Sequence, residues 1–176
     1  MASTVTELLR RRFGGKKEVD PFEDWLSWDV YVASDGVSRT ICGDASVLQR
    51  MLMDGEEITP ISSKKFDSRG TYHIQALLKS NVTSLPTGFL NAAHYRRCTL
   101  PSLITAIGNN AFRNFASNTY TWLVCKATTP PTLTGDPFYN SADITIYVPD
   151  ASLTAYQTAW ASSSRVGKLK ALSEKP

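Results

Sequence analysis

Val82-Thr83-Ser84-Leu85-Pro86 running to Phe89, Ile104-Thr105-Ala106-Ile107-Gly108 running to Phe112, and Pro131-Thr132-Leu133-Thr134-Gly135 running to Phe138 are three versions of one phrase. Leu85 and Ile107 are 22 residues apart, and Ile107 and Leu133 are 26 apart. A recurrence at that interval is the mark of a stack in which each unit buries its apolar side against its neighbours. The phrase therefore predicts an α/β repeat, a short solenoid of stacked strands. Such a shape offers a surface and no cleft, so the expectation is binding or assembly, and the chain is read as not an enzyme.

Working outward, strands are expected at Tyr72–Leu77, Arg97–Leu100, Trp122–Ala127 and Ile144–Val148, because apolar residues alternate there. Cys98, Leu100, Leu123, Cys125, Ile146 and Val148 fall on the inward side. Neighbouring strands would stack about 4.8 Å apart. Phe89, Phe112 and Phe138 would form a second ladder on the far wall. Asn109-Asn110 and Pro130-Pro131 supply corner chemistry. After Asp150-Ala151-Ser152, the residues Leu153, Tyr156 and Trp160 recur at helical spacing, which predicts a C-terminal helix capping the last coil, followed by a polar tail over 161–176.

The first half lacks the phrase. Thr4 and Glu7 fit a capping box for a short N-terminal helix over 3–13, stopped by Gly14-Gly15. So short a helix is marginal alone and must dock to be ordered. Leu8, Leu9 and Phe13 form its apolar side, beside Arg10, Arg11 and Arg12. Trp28, Val30 and Val32 alternate with Asp29 and Tyr31 like a strand, and Ala45–Met53 reads as a helix ended by Asp54-Gly55. The organisation expected is a docking segment (1–21), a non-repetitive cap region (22–71) and a leucine-rich-repeat solenoid with its terminal cap (72–172).

The chain has 176 residues, 42% of them hydrophobic and 20% charged, an ordinary globular composition. Its formal net charge of +3 is too small to argue for nucleic acid. Basic Arg10–Lys17 is followed at once by Glu18, Asp20, Glu23, Asp24 and Asp29. No uninterrupted apolar leader core is visible near the start, and no run approaches the roughly 18 apolar residues of a membrane span. The three cysteines, Cys42, Cys98 and Cys125, are an odd number and imply no disulfide framework. His73 and His94 stand in no metal-binding spacing, and no phosphate-binding or calcium loop is present. No cofactor is implied.

The stretches Thr99-Leu100-Pro101-Ser102-Leu103-Ile104-Thr105-Ala106-Ile107-Gly108-Asn109-Asn110-Ala111-Phe112 and Ile146-Tyr147-Val148-Pro149-Asp150-Ala151-Ser152-Leu153-Thr154-Ala155-Tyr156 resemble the leucine-rich repeats of the BspA-like class, common in surface proteins of gut Bacteroidetes. The resemblance covers about residues 72–172. Thr6-Glu7-Leu8-Leu9-Arg10-Arg11-Arg12 resembles the opening of repeat-bearing proteins from Bacteroides phages and prophages, including crAss-like phages. That likeness implies a virion structural protein, made in the host cytoplasm: a head fibre, a capsid decoration or a tail-associated component. Its implied partners are capsid, portal or tail proteins through Leu8, Leu9, Arg10, Arg11, Arg12 and Phe13, a host-surface glycan or protein, and sister copies in a trimer or other small multimer. Nucleic acid and membrane insertion are not expected. The alternative is a bacterial cell-surface adhesin; a basic nucleic-acid accessory is disfavoured by the acidic run 18–29.

Overall fold

Leu26, Trp28, Val30 and Val32 are buried while Ser27 and Tyr31 between them face outward, so the period-2 pattern closes one face of a strand over the core. The computed structural model describes residues 24–115, 121–141, 144–163 and 168–176. The first half contributes β1 (Leu26–Val32), β2 (Val37–Thr40), β3 (Leu48–Met53), β4 (Glu56–Ile58), β5 (Ser63–Phe66) and β6 (Gly70–Leu78). The second half contributes β7 (Ser84–Leu85), β8 (Tyr95–Leu100), β9 (Ala106–Ile107) and β10 (Trp122–Cys125). It ends with β11 (Thr132–Leu133), β12 (Thr145–Val148), the helix α1 (Leu153–Ala159) and β13 (Leu169–Ala171).

Eight strands form one mixed sheet in the order β13-β12-β10-β8-β1-β6-β3-β4. From β8 to β13 the pairing is parallel; from β8 through β1 to β4 it is antiparallel. A second, parallel sheet, β11-β9-β7, faces it across the core, and β2 pairs with β5 in a small ribbon at the side. The three quoted phrases hold equivalent places: Leu85, Ile107 and Leu133 lie in register in the second sheet. Phe112 and Phe138 stack with centroids 5.6 Å apart and planes at 11°. Phe89 meets Trp28 edge-on at 5.9 Å, joining the aromatic file to the antiparallel half.

Several expectations are overturned. The protein is mostly β, built on a mixed eight-stranded sheet, and is not a helix-capped α/β solenoid of leucine-rich repeats. Tyr72 does not open a stacked unit: β6 is a nine-residue strand antiparallel to both β1 and β3. Strands of region 22–71 enter the main sheet as antiparallel members, which requires alternation but no repeated phrase. Ala45–Met53 is not a helix. Its 3-10 turn at Ala45–Val47 gives way to β3, because pairing with β6 outweighs the high helix propensity of Leu, Gln, Arg and Met. Nor does a helix cap the end. The supposed polar tail supplies β13, which pairs in parallel with β12 and forms the sheet's last strand. α1, only seven residues long, tucks Tyr156 and the following Trp160 into the core, where Trp160 Nε1 donates to the Pro131 carbonyl at 2.9 Å. The helix expected over 3–13 lies outside the described residues.

Two glycines mark where backbone approaches backbone. A Cβ on Gly108 would lie 2.7 Å from the Thr87 nitrogen and 2.8 Å from the Leu85 oxygen. A Cβ on Gly43 would lie 2.5 Å from the Gly88 oxygen, where the antiparallel half meets the turn after β7. Gly43 N–H donates there to the Phe89 carbonyl at 2.7 Å.

Candidate functional site: the open face of the main sheet

The side of the main sheet turned away from the core carries the densest polar chemistry of the described residues. Its centre is Asp29, 2% exposed, on β1 between β6 and β8. Strand alternation sends Asp29 to the face opposite Trp28 and Val30. His73, directly across on β6, meets it through Nδ1 at 2.8 Å, and Arg97 Nε donates to its other oxygen at 2.6 Å. A carboxylate withdrawn from water needs such partners, since an unpaired buried charge is costly. Those partners are themselves half-exposed: 49% of the His73 side chain and 51% of the Arg97 side chain face solvent.

The pairing of β1 with β8 is irregular at this point. Ser27 faces Thr99 but Asp29 faces Arg96, so β8 carries one residue more than β1 across the interval. This is a β-bulge, a device that re-aims side chains. Consecutive residues on a regular strand point to opposite faces. Here Arg96 and Arg97 both reach the open face: the Arg96 guanidinium lies over the Tyr31 ring at 5.0 Å, while Arg97 grips Asp29. Arg96 Nη1 also donates to the Ala93 and Tyr95 carbonyls at 3.0 and 3.1 Å, which pins it. Tyr31 beneath it is 41% exposed.

On the next strand Trp122 is approached by two cations, the Arg97 guanidinium at 5.7 Å and Lys175 Nζ at 5.0 Å. Toward the opposite edge Arg50 forms a two-point bond with Glu57, both contacts 2.8 Å, and lies over Trp25 at 5.4 Å. That bond holds the Glu57 carboxyl below its ordinary range. The face is thus a row of cation–aromatic pairs around one sunken carboxylate. Because Asp29 fixes the His73 ring by Nδ1, Nε2 is left free of any partner among the described residues, as are both Nη groups of Arg97.

The remaining candidates are inert. Cys42, Cys98 and Cys125 are all buried and free. Desolvation pushes the Cys42 thiol up to about 12 and raises those of Cys98 and Cys125, so none is a thiolate near neutral pH. His94 is no loose surface residue: Nε2 contacts the Thr40 carbonyl at 2.8 Å, and burial lowers its pKa. Among the described residues no group of three His, Cys, Asp or Glu side chains is placed to hold a metal, and no helix is long and apolar enough to cross a membrane. A groove of about 450 Å³ lies elsewhere, between β11 and the end of α1, walled by Pro130, Pro131, Pro137 and Ala159, with Asp136 the one ionisable lining group among the described residues.

The residues expected to dock, Leu8, Leu9, Arg10, Arg11, Arg12 and Phe13, lie outside the described residues. The cluster of Asp29, His73 and Arg97 was not foreseen. Asp29 reads in the sequence as one more acid of the run 18–29, and its partners stand 44 and 68 residues away. The one available signal is its position: a carboxylate on the outward beat of an apolar strand. Comparison of the chain with protein-family models, curated proteins and solved structures gives no match.

Proposed function

We propose that this protein is a non-enzymatic structural component of a phage virion, a head fibre, capsid decoration or tail-associated part, whose N-terminal segment joins the particle and whose β domain meets the host surface or shields the capsid. One observation carries the contact role: on the side of the main sheet turned away from the core, Arg96 and Arg97 lie over Tyr31 and Trp122, with Tyr31 41% exposed and about half of the Arg97 side chain facing solvent. Flat faces of fixed cations and aromatic rings suit recognition, because their side chains are already ordered before a partner arrives. The assignment to a particle is supported by the likeness of Thr6–Arg12 to the openings of phage repeat-bearing proteins. Arginines there are suited to two-point pairing with carboxylates on capsid, portal or tail proteins. Assembly as a small homo-oligomer would multiply weak single contacts through effective concentration.

The test is mass spectrometry of purified particles, with and without residues 1–21. The full chain is expected in the particle; the shortened chain is expected to fold, by an unchanged unfolding midpoint, and to be missing from it. A full chain found only on the bacterial envelope would replace this reading with the cell-surface adhesin. A shortened chain that still joins particles would remove the docking role of Leu8–Phe13.

A further inference from the structure

We propose that the centre of the open sheet face, around Tyr31, His73 and Arg97, is a binding site for a carboxylate-bearing saccharide; this deepens the host-contact reading above and rests on it. The face presents three different chemistries side by side. Arg97 spends only Nε on Asp29, so its two Nη groups point a planar donor fork outward, the geometry that matches a carboxylate. His73 meets Asp29 through Nδ1, which leaves Nε2 turned from that carboxylate as a polar atom for a ligand hydroxyl group, able to accept from it in the Nδ1–H tautomer. Tyr31 supplies an exposed ring whose orientation is fixed by Arg96, itself anchored on two carbonyls. A sugar acid carries all three complements: a carboxylate, donating hydroxyls and an apolar C–H face.

The sign of the charge agrees. Around Asp29, whose charge is answered by Arg97 within the face, Arg96 and Lys175 remain as further cations. A single-stranded nucleic acid fits less well. Its phosphates offer acceptors alone, which give an accepting His73 Nε2 nothing to bind, and the cations here do not run in the continuous line a phosphate backbone follows. A neutral sugar could meet the Arg97 fork only through hydroxyl oxygens, without the charge-assisted two-point pairing a carboxylate gives. The bulge in β8 explains why the site sits here: it brings two consecutive arginines to one face, one to hold the ring and one to meet the ligand.

Isothermal titration of the full chain with an oligogalacturonate, a hyaluronan oligosaccharide and sialyllactose decides the matter, with maltohexaose and oligo(dT) run alongside. At least one of the three acidic saccharides is expected to bind saturably with Kd below about 1 mM, while maltohexaose and oligo(dT) bind at least about 10-fold more weakly. Arg97→Gln is expected to weaken that binding about 10-fold or more, and Tyr31→Ala, which alters an exposed ring and leaves the buried pair intact, several-fold. Lys64→Gln, which removes one positive charge on β5, away from the face, is expected to bind as the parent does. Unfolding midpoints of the variants separate lost binding from lost structure. The proposal is overturned if none of the three acidic saccharides binds, if Tyr31→Ala and Arg97→Gln bind like the parent, or if oligo(dT) binds more tightly than they do. Particle mass spectrometry answers independently, so a protein found in virions that binds no acidic sugar would defeat this site and leave the virion reading standing.

Discussion

The antiparallel half, β1 to β6, and the parallel half, β7 to β13, share one sheet and one core but are held together differently. In the parallel half each unit rests on the next: Leu85, Ile107 and Leu133 align, Phe112 stacks on Phe138, and Gly108 lets one turn touch the backbone of another. Within this half the stacking contacts join each unit to the next, while Phe89 and β8 tie it to Trp28 and β1. In the antiparallel half the contacts are particular. Trp28 Nε1 donates to the Ile41 carbonyl at 2.9 Å within the core, and Asp29 gathers His73 from β6 and Arg97 from β8, the two strands that flank β1 but lie far from it in sequence. Repetition yields stability by addition of like units, whereas at the boundary of the two halves unlike groups converge on Asp29.

The largest expected effect tests whether the halves are energetically one body. Trp28→Ala and Phe112→Ala each empty a fully buried aromatic site, one in each half, and each is expected to cost about 3–5 kcal/mol. Cys42 reports on the antiparallel half, and Cys98 and Cys125 on the parallel strands β8 and β10. In a denaturant series with a thiol-labelling reagent, both variants are expected to expose all three thiols at one midpoint. Earlier labelling of Cys98 and Cys125 alone in Phe112→Ala would break the sheet into two independent units.

Gly108→Ala sharpens the contrast within the parallel half. The added methyl meets backbone atoms, which cannot swing aside, so overpacking of about 1–3 kcal/mol is expected. Chemical denaturation measures it. Gly36→Ala serves as the reference, since open space surrounds a Cβ there and only the left-handed φ of +70° opposes it. Equal costs for the two would show that close approach between units contributes little.

The smallest effect concerns pH. His94 has its pKa lowered below the ordinary 6.5, first by burial, so the folded protein prefers the neutral ring and the unfolded chain takes up the proton first. Its contribution to stability is therefore complete above pH 6.5 and declines as pH falls through that value toward the folded pKa. Tm measured between pH 8 and 5 should fall on the acid side, and His94→Gln should flatten that part of the curve. An unchanged slope in the variant would assign the loss to other groups.

How much of this could be read in advance follows from the same contrast. The burial of Phe89, Phe112 and Phe138, the stacking of the last two and the equivalence of Leu85, Ile107 and Leu133 were legible because stacked units must repeat what they bury, whereas Phe89 turns edge-on to Trp28 instead. Alternation also gave β1 its inward residues. β3 was misread as a helix because Leu48, Met51 and Leu52 satisfy either periodicity, and only pairing with β6 decides between them. β13 was hidden because Leu169–Ala171 is too short to show a pattern and is ordered by β12 alone. The recurring phrases encouraged extension of one architecture to the whole chain, when the non-repeating half had joined the same sheet in the other direction. The open-face cluster left only the outward position of Asp29 as a signal, since a sheet face is assembled from single residues on strands far apart in sequence.

The place of β1 also governs the order in which the molecule can be made. It is the earliest strand of the described chain, yet it lies between β6 and β8, and its register with β8 runs as far as Thr99. On a translating ribosome this strand cannot find its second neighbour until roughly the first hundred residues have cleared the exit, so early synthesis leaves an apolar ribbon of Leu26, Trp28, Val30 and Val32 waiting in the open. Long-range closure of that kind makes for slow folding. Slowed translation or a chaperone during this interval should therefore govern how much native protein a cell recovers.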